Sequence, residues 1–270
     1  SRKEPRTYFL NMDAQLERLF QSMDSTLKVL NGLERLESLR AFFHPEETGY
    51  PLRYDFENKR KDPMNSVLPV CIEQEKDWMV LGERYATVMF AREYASSLDE
   101  GKVLQGFSGL PFISLLTIDY APVDKRLLME MLEAAHLNNE KSIAQEEDSK
   151  RSRGHFAVGI SYRKERRKFE LEDYTDRANN NNESCFLVSL YFVITADTEE
   201  ELATRIHTAK NIGRENGVYL EPCNFTQLTA LNTELPNGCR NITYPRSFLT
   251  SSLVALQPFK AQELQDPGGI

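Results

Sequence analysis

The stretch CFLVSLYFVIT, from Cys185 to Thr195, carries apolar side chains at odd and even positions alike. A strand with one face in water alternates apolar and polar residues, so this pattern predicts a central strand buried on both faces. Thr198-Glu199-Glu200-Glu201 follows as a capping-box signature. It opens a helix predicted over Glu199 to Glu215, with Leu202, Ile206 and Ile212 on one side. Gly217 ends that helix, and VYLEP returns as a strand. A strand–helix–strand unit lays a helix over a sheet. The predicted class is α+β, with mixed sheets covered by helices.

The N-terminal half gives a second set of elements. From Asp13 to Phe43, apolar positions including Leu16, Leu19, Phe20 and Met23 recur at three- and four-residue spacing, the stripe of an amphipathic helix. Asn31-Gly32 is expected to break it into two, and Pro45 to stop it. Strands are predicted over SVLPVCIEQ, over the alternating stretch around Tyr85, Thr87 and Met89, and over PFISLLTIDYA, with a short helix in LDEGKVLQGF. Asp124 can then cap a helix over KRLLMEMLEAAHL, whose stripe is Leu127, Leu128, Met131, Leu132 and Ala135.

Asn138 to Gly154 is poor in apolar residues and dense in charge, and the polar character continues through YRKERRKFELEDYTDRANNNNES. The organisation read from this is two α/β sub-domains joined by a charged linker. Residues 1–140 form a helical and strand-rich part, 141–184 the linker or hairpin, and 185–270 the strand–helix–strand part. The basic run Arg163 to Lys168 is read as a solvated helix face compensated by neighbouring Glu and Asp, in preference to a phosphate or nucleic-acid site.

Composition narrows the function classes. A hydrophobic content of 40% with 27% charged residues is that of a folded globular protein, too apolar for a disordered one. A net charge of −8 supplies no overall basic field, so direct nucleic-acid binding is not expected. The apolar run to Ala196 is far shorter than the ~20 residues of a spanning helix, so no transmembrane segment is expected. Cys71, Cys185, Cys223 and Cys239 form no CxxC pair. They are read as buried thiols in a reducing compartment.

Catalytic motifs are missing at the level of sequence. Gly101-Lys102 is followed by Val103 and lacks the upstream glycine of a phosphate-binding loop, and there is no GxSxG, HExxH or GxGxxG. His44, His136, His155 and His207 are scattered, and core or surface roles are read for them. Glu34-Arg35 and Asp119 are read as capping or salt-bridging charges. The catalytic, cofactor-binding and metal sets are therefore each read as none. The competing reading is an independent hydrolase or transferase with a dispersed site drawn from His155, Asp119 and Cys223.

Four pieces in order carry a resemblance: ERLESLRAFFHP (Glu34 to Pro45), LTALNTELPNG (Leu228 to Gly238), YPRSFLTSSLVALQPF (Tyr244 to Phe259) and the closing DPGGI. Together they look like the N-terminal region of the VirB-four-type ATPases of conjugative type IV secretion, closest to the TraE-like members of plasmids and conjugative transposons. Arg246, Leu249, Thr250 and Pro258-Phe259 fit the family pattern. The resemblance implies that the chain is an excised piece ending before an ATPase domain. It implies a parent protein that binds ATP and magnesium and hydrolyses ATP during DNA or protein transfer. It implies a non-catalytic docking domain, contacting membrane components of the secretion channel or neighbouring subunits, at the cytoplasmic face of the cell membrane. No family catalytic residue maps onto this stretch.

Overall fold

The computed structural model describes residues 3–47, 52, 63–152, 161–180, 183–236 and 239–257. The chain divides into two units, Ser1–Val70 and Cys71–Ile270. The first holds helix α1 (Lys3–Gln21) and helix α2 (Gly32–Phe43). The Asn31 break becomes the N-cap of α2. Its side chain accepts from the Glu34 N–H at 3.0 Å, and the Glu34 carboxylate accepts from the Asn31 N–H at 2.8 Å. That reciprocal pair satisfies two amides a helix start leaves open. Helix α2 stops at Phe43, two residues before Pro45, and buries Leu36 and Phe43. Helix α1 starts earlier than its apolar stripe predicts, taking in Tyr8 and Phe9.

The second unit is built on a seven-stranded antiparallel sheet among the described residues: β1 (Ile72–Gln74), β2 (Met79–Leu81), β3 (Arg84–Tyr94), β4 (Ser114–Val123), β5 (Cys185–Ala196), β6 (Val218–Pro222) and β7 (Arg246–Leu249). Strand β5 is central, as its double-sided apolarity requires. It pairs with β4 from Cys185↔Val123 to Ile194↔Ser114 on one side. On the other side it pairs with β3 and then with β7. Strand β3 in turn pairs outward with β2 near Arg84 and with β6 near Tyr94.

Two crossovers interlock in this sheet. Helix α3 (Lys102–Ser108) joins β3 to β4 with β5 lying between those strands, and helix α6 (Glu199–Glu215) joins β5 to β6 with β3 between them. The order β-α-β-β-α-β with both crossovers split is the ferredoxin-like arrangement. Helix α6 spans Glu199–Glu215, the predicted limits, and Thr198 caps it by accepting from the Glu201 N–H at 3.2 Å. Gly217 leaves the helix at φ +75°, a conformation that favours glycine. Helices α3 and α6 cover one face of the sheet, packing Val103, Phe107, Leu202 and Ala209 onto Met89, Leu190, Phe192 and Ile194.

The stretch expected at 141–184 to be a charged linker or hairpin is, where described, a pair of packed helices and not a linker. Between the paired strands β4 and β5 the chain forms α4 (Lys125–Ser152) and α5 (Tyr162–Asn180), which pack together. Lys164 bridges to Glu146 at 2.8 Å, and the His136 ring meets the Thr175 hydroxyl at 3.2 Å. Their charges lie in pairs four residues apart, Arg166 with Glu170 and Lys168 with Glu172. Such pairs support a helix without an apolar stripe. The basic run is thus a compensated helix face, as read. Strands on both sides of 141–184 share one ladder, so 1–140 and 185–270 are not separate sub-domains; the division into two units falls at Val70.

Candidate functional site

The second face of the sheet is covered by helix α7 (Gln227–Glu234) and the segment that follows it. Helix α7 turns Gln227, Ala230, Leu231 and Glu234 inward, the three- and four-residue spacing of one helix face. The returning chain is pinned by the Thr233 hydroxyl, which accepts from the N–H groups of Asn241 and Ile242 at 3.2 Å each. Tyr244 stacks on Phe90 with ring centres 3.7 Å apart, and the Tyr191 hydroxyl donates to the Ile242 carbonyl at 2.8 Å.

Glu234 is the anomaly of this face. Its side chain ends a helix, where the macrodipole disfavours negative charge. Only 3% of the residue is exposed, and among the described residues neither carboxyl oxygen has a hydrogen-bond partner. Burial holds its pKa well above the ordinary carboxylate value, with the Thr117 hydroxyl acting in the other direction. That hydroxyl donates to the Glu234 backbone carbonyl at 3.0 Å. The residue lines a cavity of about 640 Å³ with Leu115, Ile118, Tyr191 and Leu235, at whose edge Arg240 pairs with Asp119.

Two of the three dispersed residues come near this cavity. Asp119 lines it, and Cys223 lies close enough to Glu234 and Tyr191 to affect both electrostatically. Burial pushes the Cys223 thiol up to about 12, reinforced by Glu234, and pushes the Tyr191 hydroxyl up to about 12. At neutral pH both are protonated, so Cys223 offers no thiolate nucleophile. His155 lies outside the described residues. The other histidines are dispersed, His136 against Thr175, His207 beside Asn211, and His44 near Glu46. Among the described residues no group of three or more His, Cys, Asp or Glu is placed to hold a metal ion. Cys185 and Cys223 are buried as expected, whereas Cys71 and Cys239 are exposed.

A second cavity, of about 730 Å³, lies between the end of β3, α5 and β7 and is lined by Glu93, Tyr94, Arg177, Arg246 and Ser251 among others. Its cations are engaged. Arg177 bridges Glu183 at 3.1 Å and Asp173 at 3.7 Å, and Arg246 donates to the carbonyl of Arg92 at 2.8 Å. It therefore presents mixed, largely neutralised polarity.

The remaining surface feature belongs to the first unit. Along α1 the residues Phe9, Met12, Leu16 and Leu19 follow a three-four-three spacing and are all exposed, Phe9 by 62% and Leu19 by 54%. In proteins most of a helix's stability comes from packing its amphipathic face against other elements. The spacing was legible in sequence; its lack of cover was not. Glu234 was missed as a site residue, although its place one turn after Ala230 and Leu231, on the stripe begun by Gln227, marks it as inward-facing.

No protein-family model matches this chain, and no curated protein matches it.

Proposed function

We propose that this chain is a non-catalytic docking region of a conjugation ATPase of the type IV secretion class. Its role is to hold the parent enzyme against membrane components of the secretion channel. The observation that carries the reading is the uncovered apolar stripe of α1, from Phe9 to Leu19. Contiguous exposed apolar surface of this kind marks an interaction face, and a stripe at three-four spacing fits a partner helix. The ordered resemblance pieces supply the identity of the system. Three of them overlap α2, α7 and the stretch containing β7, while Asn237-Gly238, Pro258-Phe259 and the closing DPGGI lie outside the described residues.

In this reading ATP and magnesium act in a nucleotide-binding domain of the parent protein, at the cytoplasmic face of the membrane. Membrane association comes through partners. Among the described residues no helix is long and apolar enough to cross a membrane. The partner is an integral component of the channel with an amphipathic helix on its inner side.

The test is co-purification of this chain with the detergent-solubilised inner-membrane proteins of the secretion channel encoded beside it. The wild type is expected to retain one of them, and Leu16→Glu with Leu19→Glu to lose it at unchanged abundance. Retention by the double variant, or no retention by the wild type, sinks the reading.

A further inference from the structure

The path of strands through the sheet ends on β1 at one side and on β4 at the other. Strand β1 is three residues long and carries Glu73 and Gln74. Strand β4 is ten residues long, keeps an unbroken register on β5, and has no described strand on its outer side. We propose that β4 pairs antiparallel with β4 of a second copy of this chain, about a two-fold axis at Ile118, so that two sheets join into one. The interface goes beyond the docking reading and uses second-unit residues alone.

The direction of the main-chain groups of β4 follows from its neighbours. Val88 turns its N–H and its carbonyl away from β5, toward Gln227. In an antiparallel ladder the residue opposite such a position turns its own groups to its far side, and the sides alternate along the strand. Val193, opposite Val88, therefore bonds toward β4, where it meets Leu115. Odd-numbered residues of β4 thus bond β5, and Ser114, Leu116, Ile118, Tyr120 and Pro122 face outward. Pro122 agrees with this, because a proline within a sheet sits where no N–H is needed by the ladder. Among the described residues no hydrogen bond reaches the main-chain groups of Leu116, Ile118 or Tyr120 on that side.

Shortness, lysine and bulges are the usual protections of an exposed edge. Strand β4 has none of the three: there is no Lys between Ser114 and Val123, and its ladder on β5 has no irregularity. Its one charge, Asp119, is engaged by Arg240. The edge is apolar instead, with Ile113 55% exposed and Tyr120 39% exposed, and no residue of β4 is fully buried.

Register identifies the occupant. Outward residues have to meet outward residues, which leaves few alignments of β4 on itself. An axis at Ile118 sets Ile118 against the partner's Ile118 and Leu116 against the partner's Tyr120, and each such pair exchanges two hydrogen bonds. Thr117 then lies opposite the partner's Asp119, a hydroxyl beside a carboxylate. Moving the axis to Asp119 opposes two carboxylates, and moving it to Thr117 sets Asp119 against the partner's Leu115. Aromatic–aliphatic pairs stabilise a ladder and like charges directly opposite destabilise it. The edge is its own complement about Ile118, as an interface between two identical surfaces requires. Leu116 and Ile118, paired with Phe192 and Leu190, pack against the core under α3 and α6, so the pairing extends that core across the axis.

Sedimentation equilibrium of the whole chain counts the copies, and hydrogen exchange read amide by amide by mass spectrometry identifies the surface. The expected result is a dimer at about 200 μM that dissociates on dilution to about 1 μM, the span of a micromolar dissociation constant. The amides of Leu116, Ile118 and Tyr120 are expected to exchange at least tenfold more slowly in the dimer, while those of Leu115, Thr117 and Asp119, already bonded to β5, do not change. Tyr120→Lys, a charge on the open edge, is expected to weaken association at least tenfold. Leu16→Glu with Leu19→Glu is expected to leave it unchanged, which separates this edge from α1. Mass and exchange are read on the wild type, so the test holds even if Tyr120→Lys folds poorly. A monomer at about 200 μM overturns the proposal and leaves β4 open to a strand of another protein. A dimer whose three outward amides exchange as in the monomer, or one lost in the α1 variant, overturns it in favour of another surface. Equal protection of those amides at every concentration overturns it by showing that the chain covers its own edge.

Discussion

The side chain of Gln227 and the backbone of Val88 are 139 positions apart and joined by two hydrogen bonds. The Val88 N–H donates to the Gln227 Oε1 at 2.6 Å, and the Gln227 Nε2 donates to the Val88 carbonyl at 3.1 Å. On the outer edge of β3, pairing with β2 ends at Ala86 and pairing with β6 begins at Met89. The amide fills the gap as a strand would, and so anchors α7 to the sheet.

Gln227→Leu is therefore expected to cost about 2–4 kcal/mol, because it removes both bonds and a third from Nε2 to the Cys223 carbonyl at 3.2 Å, and leaves a buried N–H without its acceptor. Urea denaturation reads this as a lower midpoint at unchanged slope. A loss below about 0.5 kcal/mol, the level of a neutral surface change, would show that water replaces the amide.

Gly213 lies inside α6, where alanine ordinarily gains about 1 kcal/mol in helix propensity. Here a Cβ would sit 2.7 Å from the Val218 carbonyl oxygen and 3.5 Å from the Phe107 ring. Backbone cannot swing aside, so Gly213→Ala is expected to lower stability by about 1–3 kcal/mol. At Gly106 the closest atom is the Asn216 side-chain nitrogen at 2.6 Å, which can move. Thermal unfolding should rank Gly106→Ala above Gly213→Ala, and the reverse order would contradict the close approach of α6 to β6.

Elements whose signal is local were legible in the sequence. The double-sided apolarity of β5 and the capping box at Thr198 placed β5, α6 and β6 correctly, because burial on both faces and a satisfied helix start are each written in consecutive residues. The first half of α4 was read as a helix, but its second half and α5 were read as a charged linker or hairpin, since Glu146, Lys150, Lys164 and Glu170 support them through ion pairs where periodicity normally points to a helix. The ladder between β4 and β5 spans Asp124 to Ser184, and no local pattern encodes a pairing across such an insertion. The cavity at Glu234 depends on that same ladder, because Asp119 and Tyr191 reach it from the two paired strands. Its acid was visible on the stripe of α7, its isolation was not.

Glu234 also sets a pH dependence. Burial raises its folded-state pKa well above the ordinary carboxylate value, so the folded chain holds a proton that the unfolded chain gives up. Its contribution to stability is fully present below about pH 4.5, the unfolded value, and is lost as pH rises toward the folded pKa. Glu34, held low by its hydrogen bond to Lys28, acts in the opposite sense at more acid pH. Glu234→Gln removes the ionisable group at nearly constant shape. The stability difference between variant and wild type, followed by urea midpoints, is expected to grow in favour of the variant as pH rises above about 5. A difference that stays flat from pH 5 to 9 would show that the wild-type carboxyl remains ionised at little cost.

The α1 stripe separates folding from docking. Leu16 is 41% exposed and Leu19 is 54% exposed, so a carboxylate at either position meets water and buries no charge. Surface changes of this kind fall within about ±0.5 kcal/mol. The double variant Leu16→Glu, Leu19→Glu is thus expected to unfold within about 2 °C of the wild type. On the docking reading proposed above, the same variant in the parent gene is expected to lower conjugative transfer at least a hundredfold, since two charges in a helix–helix seam each cost several kcal/mol when desolvated. Transfer frequency and thermal unfolding of the same variant decide the matter together. A large loss of stability would make the stripe part of a core, and undiminished transfer with a stable variant would remove α1 from the docking surface.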